Sequence, residues 1–200
     1  TDVFMKSALN RDAGLRTGKR LVHIFHIGHP NGGALTISDA AVNVTPNMET
    51  RQDATREVVR LLRLLGSARP KVAFLSATES VIPSVPSSVE ASELSAWAKA
   101  EIEDADFSGT LAMDLILSPE AVATKKLTND PVAGQADAII VPDIVSGNAV
   151  FKSAVYMAGG CAAGIVMGAA VPILLTSRAD PPAARMASAA LAAIVTAANK

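Results

Sequence analysis

A long apolar stretch, Gly134–Asp180, constrains the fold of this chain more than any other part of the sequence. Within it, the 25 residues Ser153–Ser177 carry no charged side chain. Such a run either spans a membrane or forms the centre of a buried sheet. The regular spacing of Gly160, Gly164 and Gly168 matches a membrane helix-dimer motif. However, charged residues interrupt its approach and no basic cluster or aromatic belt flanks it, so we favour the buried sheet and expect no membrane partner.

Three short segments of this stretch are rich in branched residues, as is typical of strands buried on both faces: Ala136–Val141, Ala163–Met167 and Val171–Leu175. Ser177 and Arg178 follow the last of them. In an open α/β sheet, ligands bind beyond the carboxyl ends of the parallel strands. The sequence therefore predicts a ligand site around these two residues.

The rest of the chain alternates between strand and helix patterns. The predicted strands are Leu21–Ile27, Ala34–Ser38, Val72–Ser76 and Phe107–Met113, and the predicted helices are Thr1–Arg11, Pro46–Gly66, Val89–Ile102, a short one from Pro119 and Pro181–Asn199. The first two strands are separated by the turn sequence Gly28–Gly33, which predicts a hairpin or adjacent strands. The alternation predicts an α/β fold with a mostly parallel sheet.

Composition excludes several classes of protein. Half of the residues are hydrophobic, so the chain is globular rather than disordered. The net charge is −1, from 18 basic and 19 acidic residues, which provides no electrostatic basis for a nucleic-acid or membrane-surface partner. The arginines of the second predicted helix, Arg51, Arg56, Arg60 and Arg63, are best explained as a solvated helix face.

Cysteine and histidine give little support for a metal or redox site. The single cysteine, Cys161, is expected to be a small buried hydrophobe, and it is compatible with a reducing cytoplasm. Thr1–Arg20 has no apolar signal segment, which also predicts a cytoplasmic protein. His23, His26 and His29 have a spacing that suggests metal ligands, but a strand would place His23 and His26 on opposite faces. We therefore expect no metal.

Polar residues at the ends of predicted strands are the candidates for chemistry. They are Asp114, the group Asp143, Gly147 and Asn148, and the segment Ser177-Arg178-Ala179-Asp180. Arg178 is the most informative of these, because a guanidinium suits bidentate capture of a phosphate or carboxylate. An arginine paired with Asp180 at the surface explains the same spacing equally well. The chain has no nucleophile-elbow, Walker A or dinucleotide-binding glycine motif.

Two motifs carry a resemblance to a known family: VAG-x-ADAIIVPD-x-x-x-GN-x-x-(F/Y)K and, after it, AGIVMGA-x-VPI-x-LTSRAD. Together with LTISDAAVNVTP, PKVAFLSATE and GTLAMD, they make the chain resemble the phosphate acetyl/butyryltransferase family over essentially its whole length. The resemblance is closest to the butyryltransferase-type branch, which includes the transacetylase part of bifunctional enoyl-CoA hydratase/phosphate acetyltransferases.

The resemblance implies an isocitrate/isopropylmalate-dehydrogenase-like architecture of two α/β domains with mostly parallel sheets and the active site between them. Residues 1–20 and 171–200 would belong to a first, discontinuous domain and residues 21–170 to the second. An N-terminal third of the family fold is not in this sequence. Because members of the family commonly dimerise, the resemblance predicts a homodimer.

The family reaction converts acyl-CoA and inorganic phosphate reversibly to acyl phosphate and coenzyme A, without a metal or other cofactor. By resemblance, Ser177 lies near the thiol or phosphate and Arg178 is the main phosphate clamp. Asp180 is either the base for the coenzyme A thiol or a helix cap. Gly147 is a turn or close-approach position, and Asn148 a cleft contact or a cap.

Two departures from the family pattern remain. The family usually has a phosphate-facing arginine where this chain has Lys6, which keeps the charge but loses the bidentate fork. The acetyltransferase branch has an acidic residue where this chain has Ala183-Ala184. Two other hypotheses stay open. One is a hydroxyacid dehydrogenase of the same architecture, using a divalent metal and NAD(P). The other is an inactive partial subunit that serves assembly.

Overall fold

The computed structural model describes residue 7, residues 10–177 and residues 179–198 of the chain. A short 3-10 turn, Arg11–Ala13, precedes the regular elements. The strands are β1 Val22–Gly28, β2 Ala34–Ser38, β3 Lys71–Leu75, β4 Asp106–Leu111, β5 Ala138–Ile140, β6 Cys161–Met167 and β7 Ile173–Leu174. The helices are α1 Met48–Leu64, α2 Pro86–Glu101, α3 Met113–Leu117, α4 Pro119–Thr124, α5 Ile144–Tyr156 and α6 Pro182–Ala197.

The seven strands of the described residues form one mixed sheet in the order β4-β3-β5-β2-β1-β6-β7. The pairs β4–β3, β3–β5 and β5–β2 are parallel, whereas β2–β1, β1–β6 and β6–β7 are antiparallel. Five strands therefore point in one direction, and β1 and β7 run against them. The predicted hairpin is confirmed, because β1 and β2 pair directly with Ile24 opposite Ser38.

Helices cover both faces of the sheet, so its two sides form separate cores. On one side, α1, α2 and α6 pack over residues such as Ile24 and Ile165, both fully buried. On the other side, α3, α4 and α5 pack over Phe25, Ile27 and Ile139. Alternate residues of β1 serve the two cores, as the side-chain period of a strand requires.

The end of the apolar stretch differs from the prediction. In place of the predicted buried strand Val171–Leu175, only Ile173–Leu174 pair, at the open edge of the sheet and antiparallel to β6. An apolar run reports burial but not strand direction, and here Val171 and Leu174 are themselves exposed. Ser177 therefore follows an antiparallel edge strand rather than a central parallel one.

Two other expectations about single residues were wrong. Cys161 is exposed, because it is the first residue of β6 and lies at the rim of the sheet. Arg51 is buried and its guanidinium donates to Glu90 at 2.6 Å, so the arginine series of α1 is not a uniformly solvated face. The helix predicted at Thr1–Arg11 lies largely outside the described residues. The division into two domains stays a prediction.

Candidate functional site

A cavity of about 660 Å³ lies between α5 and the segments that follow β2 and β7. Its wall includes two residues of β1, five of the segments after β2 and β7, and six of α5: His23, Phe25, Ala40, Ala41, Leu175, Thr176, Ser177, Ile144, Val145, Asn148, Ala149, Phe151 and Lys152. Most of these side chains are apolar. The polar ones come from three elements: Asn148 and Lys152 from the helix, Thr176 and Ser177 from the segment after β7, and His23 from β1.

Helix α5 brings its polar residues to the cavity because its start is fixed in two ways. The Asp143 carboxylate caps it, accepting the Ser146 backbone N–H at 2.8 Å. One turn later, Gly147 packs against the backbone after β2: a Cβ at Gly147 would lie 2.8 Å from the Asp39 carbonyl oxygen and 3.0 Å from the Ala40 Cα. The close-approach role predicted for Gly147 therefore agrees with the structure.

Asn148 is in the first turns of α5 but is not its cap. Its side-chain Nδ2 donates to the Ala40 carbonyl at 3.4 Å, and the residue forms part of the cavity wall. Asn148 is therefore not the cap of this helix, which is Asp143, and its role as a cleft contact stays a prediction. The neighbouring Lys152 is exposed, and no ion pair with another described residue involves its ammonium group.

A tight turn presents Ser177 to the cavity. The Ser177 backbone N–H donates to the Asp180 carboxylate at 2.6 Å, and the Asp180 N–H donates back to the Ser177 carbonyl at 3.1 Å. Asp180 is buried, whereas the cap position of α6 belongs to Pro181 and has no side-chain hydrogen bond. The expectation that Asp180 caps this helix was wrong, because its carboxylate closes the turn that carries Ser177.

A buried carboxylate, Asp39, holds the segment after β2, which forms another wall of the cavity. One of its oxygens accepts the backbone N–H groups of Ala41 and Val42, both at 2.9 Å. The other accepts the His23 backbone N–H at 2.9 Å and the Asn43 side-chain amide at 2.7 Å. Four donors satisfy a carboxylate that is only 3% exposed, which is what a buried charge requires.

His23 is fully buried between the two walls. Its Nε2 lies 3.2 Å from the Leu175 carbonyl oxygen. A carbonyl can only accept, so Nε2 carries the proton. Burial lowers the pKa of His23, although the Asp39 carboxylate and the bond to Leu175 act in the opposite direction. A neutral imidazole with its proton on Nε2 therefore joins β1 to the segment that leads to Ser177.

The structure brings together only some of the predicted site residues. Ser177 and Asn148 line the same cavity, with Gly147 and Asp180 directly behind its walls. Asp114 lies in α3, which follows the edge strand β4 at the far side of the sheet from β7. There it pairs with Lys125 at 3.1 Å, a hydrogen bond that lowers the pKa of the Asp114 carboxyl. Lys6 and Arg178 lie outside the described residues.

Three polar residues of the site were missed from sequence: His23, Asp39 and Lys152. A usable signal existed for Asp39, because an acidic residue directly after an apolar strand and before Ala-Ala-Val-Asn is placed to accept several backbone N–H groups. His23 gave no signal beyond the histidine spacing. The predicted placement of His23 and His26 on opposite strand faces is confirmed, since His26 bonds to the Thr36 hydroxyl at 2.9 Å, away from the cavity.

A second cavity, of about 850 Å³, lies on the other side of α5 and contains none of the predicted site residues. Its walls are mostly apolar, with Met113, Leu117, Val150 and Met157 among them. Within the described part of the chain, no cluster of three or more His, Cys, Asp or Glu side chains is arranged to hold a metal ion. None of the described helices combines the length and hydrophobicity needed to cross a lipid bilayer.

Comparison with known sequences gives a consistent result. A sequence profile described as phosphate acetyl/butaryl transferase matches residues 2–193. The phosphate acetyltransferase of Rhizobium meliloti is 39% identical over 199 residues, which cover 98% of this chain and 63% of that protein. The phosphate butyryltransferase of Clostridium acetobutylicum is 37% identical over 197 residues, covering 98% of this chain and 65% of that protein. The chain thus spans less than two thirds of the length of these curated relatives.

Solved structures show the same fold. A branched-chain phosphotransacylase from Enterococcus faecalis V583 superposes with a TM-score of 0.89 at 32% identity, covering 97% of this chain and 70% of that one. A phosphotransacetylase from Streptococcus pyogenes, at 24% identity, superposes with a TM-score of 0.75 and covers 93% of this chain. The second similarity concerns the fold alone.

Proposed function

This chain belongs to the phosphate acetyl/butaryl transferase family, and from that membership we propose that it transfers a short acyl group reversibly between coenzyme A and inorganic phosphate. The observation that carries the proposal is the cavity in which Ser177, on a turn closed by Asp180, faces Asn148 and Lys152 of α5. These residues lie within the two motifs on which the family resemblance rests.

The reaction places clear demands on such a site. A phosphate oxygen forms a bond to the acyl carbon of the thioester, the carbon–sulfur bond breaks, and the sulfur leaves with the electron pair and then takes a proton. The site must hold a phosphate dianion beside the thioester and stabilise the charge that develops on the acyl oxygen. This chemistry needs no metal or cofactor, so coenzyme A, acyl-CoA and phosphate enter as substrates only.

The cavity supports this chemistry through its division into polar and apolar parts. The Ser177 hydroxyl, the Asn148 amide and the Lys152 ammonium are donors for phosphate or acyl oxygens, and the family motif adds Arg178 as the phosphate clamp. Phe25, Phe151 and the aliphatic wall offer contact surface for an acyl chain. In this proposal Asp180 orients the turn, because one of its oxygens already accepts the Ser177 N–H.

The same proposal includes the finer expectations from the family resemblance. The protein works in the cytoplasm as a homodimer with the two-domain, isocitrate/isopropylmalate-dehydrogenase-like architecture. Lys6 binds substrate from the first domain. Asp114 is not included among the binding residues, because it is not part of the cavity wall and its carboxylate pairs with Lys125 at 3.1 Å.

A coenzyme A release assay tests the function. We expect phosphate-dependent release of the thiol from acetyl-, propionyl- or butyryl-CoA, and a loss of at least about 100-fold in kcat/KM for Arg178→Ala with folding unchanged. Arg56→Ala is the matched control, since Arg56 pairs with Asp53 on the outer face of α1. Near-normal turnover by Arg178→Ala contradicts the assigned role. Thermal stabilisation by NAD(P) and a divalent metal, but not by coenzyme A, favours the dehydrogenase instead.

A further inference from the structure

Among the described residues, few of the usual sheet hydrogen bonds hold the backbone that leads to Ser177. Strand β7 has two residues and ends at Leu174, so Leu175 lies beyond the ladder. The opposite residue of β6 is Gly164, whose N–H donates to the Ser188 hydroxyl at 2.9 Å. The Leu175 carbonyl therefore takes its donor from a side chain, and that donor is the Nε2–H of His23.

The packing around this carbonyl leaves little freedom. A Cβ at position 164 would lie 2.3 Å from the Leu175 carbonyl oxygen, so this oxygen sits in a space that only a glycine leaves open. His23 closes the same space from β1, with its Nε2 at 3.3 Å from that Cβ position. The imidazole and the bare backbone of Gly164 together define where Leu175 lies.

The same histidine is tied to the opposite wall of the cavity. Its backbone N–H donates to Asp39, and its carbonyl accepts the Ser38 hydroxyl at 2.9 Å. Asp39 in turn holds the N–H groups of Ala41 and Val42. His23 is thus hydrogen-bonded to the segments that form both walls of the cavity. Its ring is fully buried, and Nδ1 has no hydrogen-bond partner among the described residues.

We propose that His23 is a positioning residue that fixes Ser177 in the cavity through the bond from Nε2–H to the Leu175 carbonyl. The inference rests on the proposed function of this site and adds to it a residue from β1, a strand that contains none of the proposed donors to phosphate. The role assigned to His23 is to set the position of the Ser177 turn relative to the polar residues of α5. A displacement of about 1 Å at such a site costs up to about 100-fold in rate.

Three substitutions separate the hydrogen bond from the bulk of the ring. His23→Gln places an amide N–H near the position of Nε2, His23→Asn keeps an amide that is too short to reach Leu175, and His23→Leu removes the donor. His26→Leu is the matched control, because His26 is on the same strand and bonds to Thr36 on the opposite face, outside the cavity.

Two measurements decide the proposal. Hydrogen–deuterium exchange of the amides at residues 176–180 is expected to rise about tenfold in the Asn and Leu variants, stay near wild type in His23→Gln, and not change in His26→Leu. In kinetics, the KM for phosphate rises about tenfold in His23→Asn, while the KM for acyl-CoA changes less than about twofold.

The proposal is overturned if the amides of residues 176–180 exchange in His23→Asn at the wild-type rate. It is also overturned if exchange and the KM for phosphate change in His23→Gln as much as in His23→Asn. A wild-type protein that releases no thiol from acyl-CoA in the presence of phosphate contradicts the proposed function instead. The exchange measurement still decides, in that case, whether His23 holds the Ser177 segment.

Discussion

At the scale of single residues, Gly147 shows how a missing side chain positions a site. Alanine favours a helix over glycine by about 1 kcal/mol, so propensity alone predicts that Gly147→Ala stabilises α5. The added Cβ, however, would lie 2.8 Å from the Asp39 carbonyl oxygen and 2.9 Å from the Val141 Cγ2. Backbone atoms cannot move aside cheaply, and overpacking costs about 1–3 kcal/mol. The cost of the steric clash should therefore exceed the gain in helix propensity.

We expect Gly147→Ala to lower the free energy of unfolding by about 1–2 kcal/mol, measured by urea denaturation. Gly28→Ala is the control, because the nearest atom to its added Cβ is the Cys161 carbonyl oxygen at 3.9 Å. Gly28→Ala should remain within about 0.5 kcal/mol of wild type. A Gly147→Ala variant more stable than wild type would contradict the close approach described above.

The two histidines of β1 that face the cores should make the stability depend on pH. Burial lowers the pKa of both His23 and His26 below the value of about 6.5 for an unfolded chain. Below that pH the unfolded chain binds more protons than the folded one. Their contribution is therefore fully present above about pH 6.5 and is lost as the pH falls below it.

Urea denaturation at pH 7.5 and pH 5.5 measures this effect. The free energy of unfolding of the wild type should be lower at pH 5.5 than at pH 7.5. This decrease should be smaller in His23→Gln and in His26→Gln. We expect the larger reduction for His23→Gln, because the ring of His23 is fully buried and His26 is only partly so. If the free energy of unfolding decreases by the same amount in the wild type and in both variants, the two histidines are not the source of the pH dependence.

Residue-level prediction from the sequence succeeded where local backbone geometry decides the role. Gly147 was predicted to allow a close approach, and it does. Prediction failed where the partner of a side chain decides its role: Asp180 was weighed as a helix cap but bonds back to Ser177 of the preceding turn, and Arg51 was assigned to solvent but bonds to Glu90. The partner in the second case is 39 residues away along the chain, and spacing carries no information about it.

At the scale of elements, α5 is the important omission from the sequence analysis. It lies inside the apolar stretch, contains Gly147, and has exposed apolar residues such as Val145 and Tyr156, so its pattern differs from that of an amphipathic helix. The start signal was present, because Asp143 followed three residues later by Ser146 is a capping arrangement. The helix that forms one side of the cavity was thus marked by its cap and not by its periodicity.

The contact between α5 and β1 should set the acyl preference of the proposed enzyme. The rings of Phe25 and Phe151 line the cavity and are stacked, with 3.8 Å between their centroids and an interplanar angle of 2°. Phe151→Leu shortens this wall and enlarges the space for an acyl chain. We expect the ratio of kcat/KM for butyryl-CoA to that for acetyl-CoA to rise about 2- to 10-fold.

Phe74→Leu is the control for a general loss of packing. Phe74 stacks on Phe107 at a centroid distance of 6.1 Å in the core on the other face of the sheet, away from the cavity. Each variant should lose about 1–3 kcal/mol of stability, but only Phe151→Leu should change the acyl ratio. An equal change of the ratio in both variants would mean that Phe151 does not line the acyl site.

At the scale of the whole molecule, the sequence predicted the class of the fold but not the arrangement of the sheet. Alternating strand and helix patterns predicted α/β correctly, and the hairpin turn predicted the pairing of β1 with β2. That hairpin reverses β1, which makes its pairing with β6 antiparallel, and β7 at the edge is a second reversed strand, antiparallel to β6. Both faces of this sheet are covered, so its strands are apolar whichever way they run, and their directions are visible only once all strands are placed.

The two edges of the sheet should therefore differ in their local stability. At one edge, β4 has six residues and packs under α2, with Phe107 and Leu111 buried. At the other edge, β7 has two residues, one of which, Leu174, is 44% exposed. Local opening is easiest where few buried contacts and few ladder hydrogen bonds must be broken. The catalytic turn of the proposed enzyme follows the weaker edge.

Native-state hydrogen exchange should show this order directly. We expect the slowest amides in β1, which is paired on both sides, intermediate rates in β4, and the fastest exchange among strand amides in β7. Phosphate or coenzyme A should slow exchange in β7 and the segment to Asp180 more than in β4, because ligands that bind only the folded site suppress its opening. Equal protection of β4 and β7 without ligand would contradict the weak edge. The placement of Ser177 would then depend on the sheet itself rather than on the contacts from His23 and Asp180.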